Sequence, residues 1–385
     1  MTAADEEFEG QRRRRFTRLQ LANAGGQLQQ MMGDLRAAFC GQQEQVIWSI
    51  MRGDNLIVQV IGTGGSKSLS FMLLAYCAPD GVMIVVTLLV ALRTDMDAWC
   101  SRLGLALTTW RSGGRANLAA AMVVFVTPES AVTEGFQDFV GRLQQRQQLD
   151  WVVLDECHVV LDGLRGFQPA LRALGRTVQE FGAQLVCLMA MLLPAEEWEF
   201  FAVMGIQQEQ VQVFCEATMQ RNIEYGVVVV ASGSGGGGRG CGRGRGAASH
   251  RRRAKSGLGL WSGWEGEDGE LSAVEERGCQ EVRDWLRQQP CGKAVVYSST
   301  IEGVERIAEA LGCAAFHSSI SSMEDKALRL EAWRRGDSAN WGVIMATNAL
   351  GLGINMLDVR LVVHAGMPRQ LRDFVQESGR AGRDG

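Results

Sequence analysis

A glycine-rich loop between an apolar run and an apolar helical stretch constrains this chain most strongly. The run Leu56–Val60 leads into Ile61-Gly-Thr-Gly-Gly-Ser-Lys-Ser68, and apolar residues resume at 69–75. A short apolar run that ends at glycine predicts a buried strand, and the second apolar stretch predicts a helix. Backbone N–H groups of such a loop, with the helix N-terminus behind them, can hold phosphate groups. The sequence therefore predicts a nucleotide-phosphate site, with a plain glycine turn as the alternative.

Individual side chains of this loop have distinct expected roles. Lys67 is expected to reach the β- and γ-phosphates, and the Ser68 hydroxyl to bind Mg²⁺. Ser66 stands where such a loop normally has glycine, and a positive φ at this position would carry a steric cost. The ATP-binding residues predicted from the loop are Thr63, Gly64, Gly65, Ser66, Lys67 and Ser68.

Two carboxylates end another apolar run. Trp151–Leu154 is followed by Asp155, Glu156, Cys157 and His158. Open α/β sheets bind ligands at the carboxyl ends of their strands. Asp155 is therefore expected to hold Mg²⁺, directly or through water, and Glu156 to orient the water that attacks a phosphate. A strand that merely ends in an acidic turn is the alternative.

Apolar runs of this kind recur along the chain, with helical stretches between them. Repeated strand–helix units predict an α/β fold in which helices cover both faces of a parallel sheet. The predicted strands are Leu56–Val60, Val82–Val86, Met122–Val126, Trp151–Leu154, Leu185–Leu188 and Val211–Phe214, and in a second set Ala294–Tyr297, Cys313–Phe316, Gly342–Ala346 and Arg360–His364.

Changes of pattern predict four segments in the 385 residues. Residues 1–35 read as a partly disordered extension with a basic cluster, Arg12–Arg15, which fits a nuclear-import or phosphate-contacting patch or a solvated helix face. Residues 36–230 and 276–385 form the two α/β domains. Residues 231–275 read as a Gly/Arg-rich, low-complexity linker.

Composition narrows the class of protein. Hydrophobic residues make up 46% and charged residues 21%, as in globular proteins, and the net charge of −4 requires any nucleic-acid surface to be a local groove. No apolar run is long enough to predict a membrane span, and the acidic N-terminus lacks a signal-peptide core. The ten cysteines form no CxxC pair, so no zinc site or disulfide framework is expected and reduced intracellular thiols are favoured.

The last ten residues identify a family. The sequence Gln376-Glu-Ser-Gly-Arg-Ala-Gly-Arg-Asp-Gly385 is similar to the sixth motif of superfamily 2 helicases, in the form typical of RecQ-like DNA helicases. The resemblance implies catalytic roles for Gln376, Arg380 and Arg383, beside Lys67, Asp155 and Glu156. The two arginines would point at the γ-phosphate as arginine fingers.

Other blocks resemble the remaining motifs of this family in the expected order. They lie at Phe39–Glu44, Val86–Arg93, Phe125–Ser130, Thr218–Tyr225, Val295–Ser299 and Ala346–Asn355. The resemblance implies ATP contacts for Gln43, which would read adenine, and for Gly353 and Asn355. It implies nucleic-acid contacts for Arg93, Thr127, Pro128, Glu129 and Thr347. The Asp-Glu-Cys-His stretch resembles the fungal telomere-linked type.

The resemblance implies two RecA-like domains that use ATP and Mg²⁺ to move 3′ to 5′ along DNA. Single strands and duplex junctions would be bound with little sequence preference. A nuclear role in recombination or repair follows from the same likeness. Because the family's zinc-binding and winged-helix regions do not follow Gly385, their contribution to duplex binding is not expected here.

Departures from the family pattern leave two further hypotheses. Met189 and Met191 replace the hydroxyl residues of the third motif, Asn355 replaces an aspartate, and Gly163 stands near the tryptophan of the aromatic loop. With Ser66, these changes fit a decayed or truncated copy that binds nucleotide or DNA without productive unwinding. An RNA helicase on the same fold is disfavoured, because the last motif begins Gln376-Glu-Ser where RNA-acting relatives place His-Arg.

Overall fold

The structure is a computed structural model that describes residues 3–54, 56–62, 66–87, 96, 99–111, 121–161, 168–217, 222–230, 271–288, 292–320, 322–336, 342–347, 350, 356 and 358–382. Contacts group the chain into two units. The first comprises Met1–Ile223, Leu350–Val359 and Arg369–Gly385, and the second Glu224–Ala349 and Arg360–Pro368. Within the described part, the helices are too short or too polar to cross a membrane.

The first unit begins with helices where disorder was expected. Helix α1 (Ala3–Leu21) and helix α2 (Ala24–Met32) precede α3 (Gln43–Arg52). The expectation of a partly disordered extension over residues 1–35 is wrong for this part of the chain. Both helices bury apolar side chains, among them Leu19 and Leu28, against the main core. That burial offsets the entropy lost when the segment orders.

A buried ion pair fixes α1 to the sheet and corrects the expectation for the basic cluster. The Arg15 guanidinium donates through Nε and Nη2 to the two oxygens of Asp150, each at 2.9 Å, and Arg15 is 4% exposed. Arg12 also faces Asp150, at 3.8 Å. The cluster is therefore divided, with Arg15 inside the protein and Arg13 on the solvated face. Burial raises the pKa of Asp150 even against these two arginines, so the carboxylate depends on them.

A seven-stranded sheet forms the centre of the first unit. Its strand order is β3-β4-β2-β5-β6-β1-β7, and neighbouring strands pair in parallel. The strands are β1 (Leu56–Val60), β2 (Val82–Val86), β3 (Leu107–Thr109), β4 (Val123–Val126), β5 (Leu149–Leu154), β6 (Gln184–Met189) and β7 (Val211–Cys215).

Apolar side chains on both faces explain why these strands are buried. In β1, Val58 contributes to the core on one face of the sheet and Ile57 to the core on the other. Alternate residues of a strand point to opposite faces, so a strand between two helical layers needs a continuous apolar run. The covering helices are α4 (Ser68–Cys77), α5 (Pro128–Ala131), α6 (Glu134–Gln145), α7 (Gln168–Glu180) and α8 (Glu197–Met204), with a 3₁₀ turn at Cys157–Leu161.

The second unit contains a four-stranded sheet with the order β11-β8-β10-β9. Strand β10 pairs in parallel with β8 and with β9. The elements of the remaining chain are α9 (Ala273–Gln288), β8 (Lys293–Tyr297), α10 (Ile301–Leu311), β9 (Ala314–Phe316), α11 (Met323–Arg335), β10 (Val343–Ala346), β11 (Val359–His364) and α12 (Leu371–Ser378), of which α12 groups with the first unit.

Helix α9 begins with a reciprocal cap that also reaches α10. The Glu275 carboxylate accepts the Ser272 N–H at 2.7 Å, and the Ser272 hydroxyl accepts the Glu275 N–H at 3.3 Å. This exchange satisfies two backbone donors that a helix start leaves open. Glu275 also accepts a bond from Arg306 of α10 at 2.8 Å, so the cap joins the two helices.

The expected fold class is confirmed, with two parallel-sheet domains. Strands β1 and β2 occupy the predicted residues, and the other predicted strands differ by one or two residues at their ends. Strand β3 was not predicted, because its three half-buried residues carry no clear apolar pattern. Of the predicted Gly/Arg-rich linker (231–275), residues 231–270 lie outside the described residues, and α9 begins at Ala273, before the predicted end of the linker.

The pair between Arg15 and Asp150 gives a test of how α1 contributes to stability. We expect Arg15→Ala to lower the free energy of unfolding by about 3 kcal/mol, since it leaves a buried carboxylate without its main partner. Arg13→Ala is the matched control and should change stability by less than about 0.5 kcal/mol. Urea denaturation measures both, and equal stability of the two variants would show that α1 does not pack as described.

Candidate functional site

The parallel sheet of the first unit brings several loops to one edge. Strand β6 lies between β1 and β5, with Val60 opposite Met189 and Leu154 opposite Cys187. Because these strands run in the same direction, the glycine-rich loop after β1 and the carboxylates after β5 leave the sheet at the same edge. This is where open α/β sheets bind ligands.

Ser66 adopts the left-handed backbone conformation, although it stands where such a loop normally has glycine. Its φ is 51°, a value that L-residues other than glycine seldom adopt. Lys67 follows, and α4 begins at Ser68, so the loop leads directly into a helix N-terminus. The predicted contacts Thr63, Gly64 and Gly65 lie outside the described residues.

The structure brings Lys67 and Glu156 together. Lys67 Nζ lies 3.1 Å from Glu156 Oε1, and His158 Nδ1 lies 3.3 Å from the other carboxylate oxygen. The side chains are 11% exposed for Lys67 and 14% exposed for Glu156. Burial alone would raise the pKa of Glu156, but the adjacent Lys67 and His158 hold it below its usual range. Glu156 is thus an ionised carboxylate, with Lys67 beside one oxygen and His158 beside the other.

The pKa of Asp155 is shifted in the opposite direction from that of Glu156. Burial, reinforced by the charge of Glu156, raises its pKa to about 7. A divalent cation beside this carboxylate would favour its ionised form, and the carboxylate and the Ser68 hydroxyl are the oxygen ligands that Mg²⁺ takes in proteins. These residues therefore fit the expected metal role. Asp155 itself is positioned by its N–H, which donates to the Val86 carbonyl at 3.0 Å.

Glu156 also has a positive φ, 50°. Its N–H donates to Asp155 Oδ1 at 3.0 Å, which ties the two acidic residues into one tight turn at the end of β5. Positive φ at a residue with a side chain carries a conformational cost of about 1–3 kcal/mol, and such residues concentrate at functional sites. The turn directs the Glu156 side chain toward Lys67 rather than along the strand.

Gln43 is buried at the start of α3. Its side-chain carbonyl accepts the Cys40 N–H at 2.9 Å, and its own N–H donates to the Cys40 carbonyl at 3.1 Å. Only 4% of Gln43 is exposed. The segment expected to read adenine is therefore a closed loop with Gln43 at its base.

The residues expected to contact nucleic acid occupy strand ends. Thr127 follows β4 and caps α5, with its hydroxyl accepting the Ser130 N–H at 3.3 Å. Pro128 is buried in that helix, whereas Glu129 is exposed. Thr347 follows β10 of the second unit and donates its N–H to the Phe316 carbonyl at 3.2 Å. In the first unit, residues 127–131 therefore present Glu129 to solvent, and Thr127 fixes the turn at the start of α5.

The residues implied by the last motif lie on and after α12. Gln376 is half-buried on that helix, and Arg380 follows it with 5% of its surface exposed. The Arg380 N–H donates to the Glu377 carbonyl at 3.2 Å, which continues the last helical turn. The structure therefore places Gln376 and Arg380 within one helical turn of each other. The remaining predicted contacts Arg93, Gly353, Asn355 and Arg383 lie outside the described residues.

Two models of helicase domains match this chain. A model of the DEAD/DEAH box helicase domain matches residues 41–224, and a model of the helicase conserved C-terminal domain matches residues 278–385. ATP-dependent DNA helicase Q5 of Rattus norvegicus is 26% identical over 361 residues, which are 89% of this chain and 33% of that protein. ATP-dependent DNA helicase RecQ of Pasteurella multocida is 25% identical over 361 residues, 89% of this chain and 48% of that protein.

The chain carries both helicase domains and resembles the RecQ helicases over 89% of its length. It spans less than half the length of either relative. Solved structures agree on the fold of this RecQ-like chain. Dbp5 of S. cerevisiae bound to RNA and ADP BeF3 has a TM-score of 0.60 at 16% identity, over 96% of this chain and 86% of that one. The DUF1998 helicase MrfA bound to DNA has a TM-score of 0.62 at 14% identity, over 92% and 49%.

The sequence of this RecQ-like chain did not predict two contacts of the candidate site. His158 was noted only as part of the Asp-Glu-Cys-His stretch, yet it flanks Glu156. Glu216 was not singled out, although its carboxylate accepts the Gln42 N–H beside the Gln43 loop. The position of His158, two residues after Glu156, could have indicated the first contact. No local pattern indicates the second, because Glu216 and Gln42 are 174 residues apart.

Met189 and Met191 of the RecQ-like chain are fully inside the protein. They are 0% and 5% exposed, and Met189 is the last residue of β6. Side chains with hydroxyl groups would there offer hydrogen bonds at the same sheet edge as Glu156. The thioethers offer apolar packing instead, so the third motif lacks its polar groups.

The positive φ of Ser66 generates a prediction for nucleotide affinity. We expect Ser66→Gly to tighten binding of a non-hydrolysable ATP analogue about fivefold, because glycine removes about 1 kcal/mol of strain from the left-handed loop conformation. Calorimetric titration measures this change. Ser66→Ala keeps the Cβ atom and should bring no gain; an equal gain in both variants would assign the effect to the hydroxyl group instead.

Proposed function

We propose that this chain is an ATP-dependent motor that separates DNA strands. The observation that carries the proposal is the contact of Lys67 with Glu156 at the sheet edge, next to Asp155. It supports a phosphate-binding cation, a water-orienting carboxylate and a metal ligand in one place. The family of the chain supports the same reading, since its relatives are named as ATP-dependent DNA helicases.

Lys67 would change partner when ATP binds. Without nucleotide, its ammonium group neutralises Glu156 at 3.1 Å. A triphosphate carries more negative charge than one carboxylate, so Lys67 would turn to the β- and γ-phosphates. Glu156 would then be free to accept a hydrogen bond from the attacking water, with His158 adjacent to its second oxygen.

Ser68 and Asp155 are the proposed Mg²⁺ ligands. These two residues would hold Mg²⁺, whose positive charge would stabilise the negative charge that develops on the phosphates. Asp155 would be ionised in that state, although burial and Glu156 raise its pKa in the free protein. Arg380 and Arg383 would supply the arginine-finger charges, and Gln376 of α12 is the third proposed catalytic residue of this motif. Gln43 would select adenine.

DNA is the proposed partner because of the names of the relatives and the form of the last motif. The fold does not distinguish DNA from RNA, since the similar structures include one bound to RNA and one bound to DNA. The proposed DNA contacts are Thr127, Pro128, Glu129, Thr347 and Arg93.

The proposed motor consists of an ATP-binding domain at 36–230 and a C-terminal domain at 276–385. Movement 3′ to 5′, a nuclear location and a role in recombination or repair belong to the same proposal.

A second function, nucleotide or DNA binding without unwinding, is favoured by two observations. Ser66 strains the phosphate loop, with φ 51°. Buried methionines replace the hydroxyl groups of the third motif, which couples hydrolysis to strand separation in this family. Under this hypothesis the chain would bind ATP, and either hydrolysis or its coupling to DNA would be lost.

ATP hydrolysis with and without single-stranded DNA separates the two functions. The proposed motor requires a rate that DNA stimulates and that Lys67→Ala abolishes, because the loop then lacks the cation that holds the γ-phosphate. Phosphate release is the measured quantity. Absence of turnover in the unchanged chain, with ATP still bound, would favour the binding-only function.

Glu156→Gln tests the water-orienting role separately from ATP binding. The amide keeps the size of the side chain but is a much weaker base, so we expect hydrolysis to fall about 100-fold or more. ATP affinity should remain within about threefold of the unchanged chain, since the proposed phosphate contacts come from the loop. A variant that binds ATP normally and still hydrolyses it would exclude Glu156 from this role.

A strand-displacement assay on matched DNA and RNA duplexes identifies the substrate. The proposed function predicts ATP-dependent separation of DNA duplexes that carry a 3′ single-stranded end. Faster separation of the RNA duplex would favour an RNA helicase on the same fold. DNA-stimulated hydrolysis without any strand separation would indicate that the third-motif methionines have uncoupled the motor.

A further inference from the structure

The loop that would receive the nucleobase is closed from within. Gln43 contacts Cys40 through both its side chain and its backbone, at 2.9 and 3.1 Å. These two bonds fix the curvature of residues 40–43. They do not fix where the loop lies relative to the rest of the sheet edge.

Glu216 supplies that second restraint. It follows β7, and its carboxylate oxygen Oε1 accepts the N–H of Gln42. Gly41, with φ 53°, lies against the same carboxylate, and a Cβ atom at Gly41 would overlap it. The close approach therefore requires glycine at position 41, both for space and for the left-handed conformation.

The backbone of Glu216 is attached to the strand that leads to the phosphate loop. The Glu216 N–H donates to the carbonyl of Val60, the last residue of β1, at 2.9 Å. Cys215 is the residue opposite Val60 in the pairing of β7 with β1. One residue thus links the loop around Gln43 to the start of the glycine-rich loop.

The charge of Glu216 suits this position. Gln42 is the residue that precedes α3, and its own side chain makes no capping bond. The first N–H groups of a helix lack partners within the helix and carry partial positive charge. The Glu216 carboxylate meets this need with a charge-assisted hydrogen bond, which is stronger than one between neutral groups.

We propose that Glu216 is a positioning residue for nucleobase selection, holding the loop of residues 40–43 at a fixed distance from the phosphate loop. The inference rests on the proposed function, in which Gln43 reads adenine while Lys67 holds the phosphates. A nucleotide can satisfy both only if the two loops keep their spacing. Glu216 acts through Gln42 and Gly41 and contacts neither base nor phosphate.

The inference predicts a loss of base preference without a loss of phosphate binding. We expect Glu216→Ala to weaken ATP binding about tenfold, the effect of losing one charge-assisted hydrogen bond, while affinities for GTP and tripolyphosphate change less than about twofold. Glu216→Gln retains an acceptor oxygen and should restore most of the ATP affinity. Gln212→Ala, at an exposed position of β7, is the matched control and should bind all three ligands as the unchanged chain does.

Gly41→Ala tests the same contact from the other side. The added Cβ atom would displace the Glu216 carboxylate, so this variant should lose base preference as Glu216→Ala does. Amide hydrogen exchange at Gln42, measured without nucleotide, reports on the bond directly. We expect faster exchange there in both variants and unchanged exchange in β7.

Other outcomes would overturn the inference. Equal loss of ATP, GTP and tripolyphosphate binding in Glu216→Ala would show a general structural role, and an unchanged ratio of ATP to GTP affinity would show none. If the unchanged chain hydrolyses ATP with DNA stimulation but binds GTP equally well, the inference fails and the proposed function stands. If it binds no nucleotide at all, both fail.

Discussion

Parallel pairing of β1, β6 and β5 is the constraint on which the candidate site depends. Two strand spacings of about 4.8 Å separate β1 from β5, so the loops that follow them leave the sheet about 10 Å apart. Lys67 and Glu156 extend across this gap from opposite sides and meet at 3.1 Å. A shift of one residue in the pairing of either strand with β6 would place the side chains of each face in the core on the other face, where they do not fit the existing packing. The cores on both faces of the sheet therefore set the distance between two charged groups that follow the strand ends.

The two loops at this edge share an energetic property. Ser66 and Glu156 both hold a positive φ, one in each loop, and each conformation is unfavourable for a residue with a side chain. The surrounding strands are almost completely buried, so the favourable free energy of packing lies in the sheet and the strain lies where the ligand would bind. The two carboxylates at the end of β5 also differ in the direction of their pKa shifts. Burial and the adjacent Glu156 raise the pKa of Asp155, whereas Lys67 and His158 lower that of Glu156. Burial together with the neighbouring charges thereby gives two adjacent carboxylates different protonation behaviour.

Local sequence predicted the features that depend on local physics. Strand β1 is visible because four of its five residues are aliphatic, and the left-handed Ser66 is visible because a serine replaces a glycine in a recognisable loop. Features that depend on distant contacts were missed. In the sequence, Arg15 belongs to a basic cluster that fits an import patch, a phosphate-contacting patch or a solvated helix face. Its burial requires Asp150, 135 residues away. Nothing in the local sequence distinguishes Glu216 from other polar residues, and only the folded structure shows its contact with Gln42. Strand β3 has three residues and little apolar character, and only its pairing with β4 defines it.

The contact between α1 and β5 bears on how this protein can be dissected. The segment that matches the helicase domain begins at residue 41, whereas the packing that holds β5 begins at α1, more than twenty residues earlier. A fragment trimmed to the matched segment would retain Asp150, which is 0% exposed, and would remove both arginines that face it. The boundary of sequence similarity is thus not the boundary of cooperative folding. An expression fragment intended to fold should include α1, even though that helix carries none of the residues expected to act on nucleotide.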